Sequence, residues 1–117
     1  MTDQRFRKSE RLLKRSDFLN VQHNGRRFQT PRLIILHLDS PVDRRRFGVT
    51  VSTRVGNAVM RNRIKRRLRE AYRLHKAEWP EGIDMVVIAR QRARDAELED
   101  FVEDLRSWAA HLGSQDG

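Results

Sequence analysis

The chain has 117 residues, 38% of them hydrophobic, enough for one ordinary domain with a single core and little apolar surface to spare. Its 25 Lys and Arg against 16 Asp and Glu give a formal charge of +9, and 21 of the 25 are Arg. That balance attracts polyanions and favours forked contacts with two phosphate oxygens. Cysteine is absent, which excludes disulfides and thiolate metal sites and fits a reducing cytoplasm, and no apolar run approaches the roughly 20 residues that cross a bilayer.

The opening residues, Met1-Thr2-Asp3-Gln4-Arg5-Phe6-Arg7-Lys8, lack the apolar stretch of a secretion signal, and residues 1–12 read as an extended or mobile polar segment. Ser16 offers an N-cap hydroxyl, Asp17 a favourable first-turn charge and Gly25 a stop. These signals predict a short helix over 17–23 that turns Phe18, Val21 and Leu19 inward. Thr30-Pro31 breaks the chain before a strand over 32–38, apolar on both faces, and Ser40-Pro41-Val42-Asp43 supplies a turn. The strand over 47–52 alternates strictly, so Val49 and Val51 should face the core while Thr50 and Ser52 face away.

From 57 to 76 the pattern changes to a basic helix. Six of the nine residues from Arg61 to Arg69 are Lys or Arg and none is acidic. Met60, Ile64, Leu68, Ala71 and Tyr72 recur at the three- and four-residue spacing that lines one face, while Asn62, Lys65, Arg66, Arg69 and Arg73 spread over the other side. Asn57 can cap the start, and Trp79-Pro80-Glu81-Gly82 opposes continuation. Residues 83–89 form a second near-continuous apolar strand, as expected for a central position in a sheet. The last element, 96–112, places Leu98, Phe101, Val102, Leu105, Trp108, Ala109 and Leu112 on one stripe, ahead of a short tail at 113–117. No repeat or low-complexity linker divides residues 1–117, so the expectation is one α/β domain.

A rigid array of guanidinium groups suits a partner whose phosphates are regularly spaced, and nucleic acid is the leading reading. A merely solvated charged face is the plain alternative, but like charges three and four apart oppose helix stability and call for a compensating role. Binding to anionic lipid is a third reading, weakened by an apolar face of Met, Ile, Leu and Ala at core spacing in place of exposed Trp or Phe. Gly56, between strand and helix, could let a phosphate approach the helix N-terminus or could be turn chemistry alone. Phe18, read by itself, is a core residue before it is a stacking platform. His23, His37, His75 and His111 have no metal-ligand spacing, and Asp39, Asp43 and Asp84 are scattered acids at turns. No nucleophile motif, phosphate-binding loop or carboxylate cluster is present, so no catalytic residue and no metal site is expected in the protein itself. The seven acids against Arg106 alone in residues 95–117 should turn that end away from a polyanion.

The stretch Gly48-Val49-Thr50-Val51-Ser52-Thr53-Arg54-Val55-Gly56-Asn57-Ala58-Val59-Met60-Arg61-Asn62-Arg63-Ile64-Lys65-Arg66-Arg67-Leu68-Arg69-Glu70-Ala71-Tyr72-Arg73 closely resembles the signature region of the bacterial ribonuclease P protein component. Its Arg-Asn-Arg core at 61–63 is that family's hallmark. The segment Arg11-Leu12-Leu13-Lys14-Arg15-Ser16-Asp17-Phe18 and the segment Gly82-Ile83-Asp84-Met85-Val86-Val87-Ile88-Ala89-Arg90 extend the likeness, which covers most of residues 5–112. The resemblance implies an α/β (α+β) two-layer sandwich of the kind found in a ribosomal protein domain. Its order would be helix-strand-strand-strand-helix-strand-helix, with a left-handed crossover through the basic helix, against the usual right-handed rule. It further implies a subunit that binds a large catalytic RNA and promotes removal of the 5′ leader from precursor tRNA, with Mg2+ held mainly by the RNA, and with neither a membrane nor a small-molecule substrate. A ribosomal or general RNA-binding protein of the same fold is the alternative, and it does not explain the match along the whole basic segment. Carried over residue by residue, Arg61, Asn62, Arg63, Lys65 and Arg67 would meet the RNA subunit. Phe18, Leu36, Thr50, Arg66 and Arg69 would line the leader cleft between the first helix, the sheet and the basic helix. Gln22 and Leu36 stand where many members carry an aromatic residue, which leaves Phe18 most of the stacking.

Overall fold

A computed structural model describes residues 8–12, 14–42 and 44–115, the side chains of residues 114 and 115 excepted. The elements are α1 (Arg15–Asn24), β1 (Arg26–Gln29), β2 (Leu33–Asp39), β3 (Arg46–Thr50), α2 (Ala58–Leu74), β4 (Ile83–Ala89) and α3 (Leu98–Gln115), in the order implied by the resemblance. The strands form one sheet in the order β1-β2-β4-β3, with β3 parallel to β4 and the other pairs antiparallel. The parallel pair is joined through α2, since parallel neighbours need a long crossover. β4 is central, as its near-continuous apolar run predicts.

Alternation along the strands creates two different faces. Leu33, Ile35, Phe47, Val51, Ile83, Met85, Val87 and Ala89 meet Ile64, Leu68, Ala71 and Tyr72 of α2 and Phe101, Val102, Leu105 and Trp108 of α3 in the main core. The Phe47 and Tyr72 rings stack there, 4.4 Å apart and 12° from parallel. The Tyr72 hydroxyl accepts from Arg45 Nε at 3.1 Å, and burial pushes its pKa up to about 12. On the opposite face Leu36 and Val86 pack with Leu12 and Val21, and Phe18, Ile34, Leu38 and Ile88 flank them. The sandwich of sheet and paired helices is therefore completed by α1, which covers only part of the second face.

Several local expectations are corrected. α1 spans 15–24 in place of 17–23, and Ser16 lies inside its first turn; the N-cap is Lys14, which makes no side-chain cap. Leu19 is not turned inward but is 38% exposed. β1 carries no apolar alternation that could have located it, and its residues are mostly exposed. Residues 8–12, read as extended or mobile, include a 3₁₀ turn at Lys8–Glu10 and a parallel bridge from Arg11 to Phe47. Leu12 is buried and donates its amide to the Phe47 carbonyl at 3.1 Å, and Lys76 Nζ reaches Glu10 at 2.9 Å. Residues 1–7 and Asp43 lie outside the described residues, as do 116 and 117 of the expected tail. Ala96 and Glu97 precede α3, where the Glu97 amide donates to the Asp100 carboxylate at 2.8 Å and helps start the helix.

One polar contact inside this frame is sensitive to pH. Fully buried Trp108 donates its indole N–H to His37 Nδ1 at 3.3 Å, which requires that nitrogen to be unprotonated. Burial, aided by Arg26, lowers the His37 pKa from its ordinary 6.5. A folded-state value below the unfolded one means that the stabilisation is present above about 6.5 and is lost as pH falls through that region. Denaturant unfolding over a pH series should therefore show stability falling on the acid side of neutrality. His37→Gln, which keeps an acceptor but cannot titrate, should flatten that fall; an unchanged slope would remove His37 as its source.

Candidate nucleic-acid interface

The basic helix starts where the sequence says it should. Asn57 accepts a hydrogen bond from the Met60 amide at 2.9 Å, the side-chain cap that satisfies an orphan donor of the first turn. A Cβ on Gly56 would lie 2.8 Å from Met60 Cγ, so that glycine makes room for the helix's own side chain. Ile64, Leu68, Ala71 and Tyr72 are each 0% exposed and fix the helix to the core. That leaves Asn62, Arg63, Arg66 and Arg69 exposed, with Arg61, Lys65 and Arg67 half-buried on the flanks.

The basic residues are not equivalent. Arg67 Nη1 donates to the Ala96 carbonyl at 2.6 Å, and its other branch lies 3.8 Å from Glu97, so it ties α2 to the start of α3. Arg73 forms a two-pronged pair with Glu70 at 2.7 and 3.0 Å, which holds the Glu70 carboxyl below its ordinary range. Arg61 Nε is buried and has no partner among the described residues. In the acidic C-terminal stretch Glu97 stands beside Arg67, and Arg32 bridges Asp100 and Asp104 on α3.

A second feature lies on the other sheet face. Arg15, Phe18, Leu19 and Gln22, at the i, i+3, i+4, i+7 spacing of one helix stripe, line a groove of about 380 Å³ with Thr50 of β3. Phe18 is half-buried, and its ring lies over Gly48: a Cβ there would sit 2.5 Å from Phe18 Cζ. Thr50 is off the main core, as its alternation predicts. Leu36 is only 7% exposed and sits in the apolar cluster beneath α1, so it supports the groove and offers little surface to it. Arg66 and Arg69 are not among the lining residues, since α2 packs on the face opposite α1. Arg15 and Leu19 were missed, though their spacing from Phe18 is the signal that finds them.

Comparison with known proteins places the chain in a family. The family described as Ribonuclease P matches residues 6–113 of the chain. A ribonuclease P protein component of Desulforapulum autotrophicum is 51% identical over 86 residues, 74% of each chain, and one of Gluconacetobacter diazotrophicus is 44% identical over 101 residues, 85% of this chain and 87% of that one. Among solved structures, the ribonuclease P protein of Thermotoga maritima superposes with a TM-score of 0.77 at 32% identity, covering 86% of this chain and 94% of that one. That of Staphylococcus aureus gives 0.77 at 31% identity, covering 91% and 96%.

The difference between an exposed and a tethered arginine is measurable without RNA. Arg67→Ala removes a charge-assisted bond to a backbone carbonyl and should cost about 1–3 kcal/mol in denaturant unfolding. Arg63→Ala, on the exposed side, should stay within about 0.5 kcal/mol of the parent. Equal stabilities for the two variants would show that the Arg67 tether contributes nothing to the fold.

Proposed function

The chain belongs to the ribonuclease P protein component family, and from that premise we propose how its surface is shared between the two RNAs the enzyme brings together. It is a protein subunit of ribonuclease P, the endoribonuclease of tRNA processing. The exposed side of α2 meets the catalytic RNA subunit: Asn62 and Arg63 present donors outward, Arg61 and Lys65 flank them, and Arg67 contributes what its tether to Ala96 leaves accessible. The observation that carries this reading is the helix itself, a basic face held rigid by four fully buried side chains. Rigidity matters because pre-ordered guanidinium forks lose little freedom when they meet phosphates.

The groove of α1 and Thr50 takes the unpaired 5′ leader of precursor tRNA. Phe18 offers a ring for a base to stack on, Arg15 offers charge for the backbone, and Leu36 belongs to the buried cluster against which Phe18 packs. Arg66 and Arg69, exposed on α2 and not among the groove's lining residues, act on RNA beyond it. Hydrolysis itself is assigned to the RNA subunit and its Mg2+. Among the described residues no three His, Cys, Asp or Glu are grouped to hold a metal ion, and the protein's part is to bind and orient. The cytoplasm is the proposed compartment, in keeping with a chain that lacks cysteine and whose described helices include none long and apolar enough to cross a membrane.

The test is reconstitution. Purified protein alone should leave precursor tRNA uncut, and it should stimulate a bacterial ribonuclease P RNA most at low magnesium. Arg63→Ala should flatten the log-log salt dependence of assembly by about 0.7–0.9. Phe18→Ala should cost roughly 1–3 kcal/mol of precursor binding in the holoenzyme, with mature tRNA unaffected. RNA-free cleavage that a point mutation in this chain abolishes would overturn the assignment of chemistry to the RNA. Equal losses for both tRNAs would remove Phe18 from the leader site.

A further inference from the structure

α1 forms one wall of the groove, yet it is poorly anchored by apolar contact. Val21 is its single buried residue, and its N-cap supplies no side-chain hydrogen bond. At its C-terminal end Gly25 closes against the sheet, where a Cβ would come within 2.9 Å of the His37 carbonyl oxygen. Beyond Val21 and the half-buried Phe18, apolar contact does little to fix the roll of the helix about its axis. Roll decides where the Arg15, Phe18, Leu19 and Gln22 stripe points.

The N-terminal end is held by charge. Arg46 of β3 and Asp84 of β4 are register partners and pair through two bonds, Nε to Oδ1 at 2.8 Å and Nη2 to Oδ2 at 2.7 Å. Arg46 is 8% exposed and Asp84 1%, so this fork is fixed within the sheet. Its remaining Nη1 reaches up to Asp17 Oδ2 on α1 at 3.3 Å. Asp17 stands four residues before Val21, on the same helix face, and immediately before Phe18. We propose that Asp17 is a positioning residue for the leader groove: its pairing with the immobilised Arg46 fixes the roll of α1 and so seats the Phe18 ring over Gly48. The assignment rests on the reading of that groove as the leader site.

Electrostatics alone makes the opposite forecast, which gives the test its force. Asp17 is an acid beside a site for a polyanion, and removing its charge should by itself tighten RNA binding. If Asp17 positions Phe18, Asp17→Asn should instead weaken binding of leader-bearing precursor. The experiment measures, in the reconstituted holoenzyme, affinity for tRNA with and without a leader, for Asp17→Asn, Asp17→Glu, Phe18→Ala and the Asp17→Asn/Phe18→Ala double variant, alongside thermal unfolding of each protein. The leader-dependent gain should fall on the order of fivefold in Asp17→Asn, with mature tRNA unchanged. Asp17→Glu, which keeps the charge, should retain most of the gain. The double variant should lose no more than Phe18→Ala alone, since both changes remove the same contact. A retained or increased gain in Asp17→Asn while Phe18→Ala loses it would overturn the positioning role alone. A gain that survives Phe18→Ala would overturn the groove reading and this proposal with it. Equal loss for both tRNAs, or a collapse of the unfolding midpoint in Asp17→Asn and Asp17→Glu alike, would reduce Asp17 to a structural residue.

Discussion

A helix with six like charges in nine residues exists here because its other face is buried, and the rest of the molecule is arranged around that burial. Pairs such as Arg61 with Lys65, Arg63 with Arg67 and Lys65 with Arg69 each oppose the helix by about 0.2–0.5 kcal/mol. Burying a side chain such as Ile64 or Leu68 contributes about 1.5–3 kcal/mol. The seam therefore outweighs the repulsion, and it does so only while β3, β4 and α3 provide surfaces to bury against. The Tyr72 stack on Phe47 and the Arg67 link to Ala96 extend the same attachment to both sides of the helix.

Burial of one helical face also explains why the sheet must have two occupied sides. Val86 and Val87 are neighbours on β4, both 0% exposed, and they point in opposite directions into the two apolar clusters. The main cluster, under α2 and α3, is large. The second, under α1, is small and leaves Ile34, Ile88 and Thr50 only partly covered. A sheet face left half open beside a short helix is a groove by default. Gly48 then sets its depth, because only a residue without a side chain lets the Phe18 ring lie so close to β3.

How much of this could be read from the residues depended on how local the cause was. β4, the alternation of β3 and the Asn57 cap follow from near neighbours in sequence, and the fold has all three. α1 was misplaced at its start because a polar helix with one buried residue carries almost no periodic signal, and Ser16 looks like a cap whether or not the backbone uses it. β1 was legible only through the family's element order: Arg26, Arg27 and Gln29 have no strand pattern and pair because β2 presents an open edge. The run from Lys8 to Leu12 gave no sign that Leu12 would be needed beneath α1. The candidate site divides in the same way. The exposure of Asn62, Arg63, Arg66 and Arg69 follows from helical geometry, whereas the tether of Arg67 depends on a carbonyl 29 residues further along the chain.

The same division explains why the two surfaces differ in kind. The basic face is built by one element and can be strong without being exact, since phosphates accept contacts at many angles and charge acts over several ångströms. The groove draws on α1, β3 and the Arg46–Asp84 fork together, and a stacking contact fails when a ring is displaced by little more than its own thickness. On the proposed reading of the two surfaces, affinity for RNA in general resides in the robust part of the molecule. On the same reading, discrimination between RNAs that carry an unpaired leader and those that do not resides in the part whose shape the buried ion pair is proposed to hold. A chain with this distribution would tolerate change on the exposed side of α2 one residue at a time, each loss weakening RNA binding in proportion. Change at the junction of α1 with the sheet would act differently: the charges that would attract RNA remain, and what would be lost is the ability to tell one RNA from another.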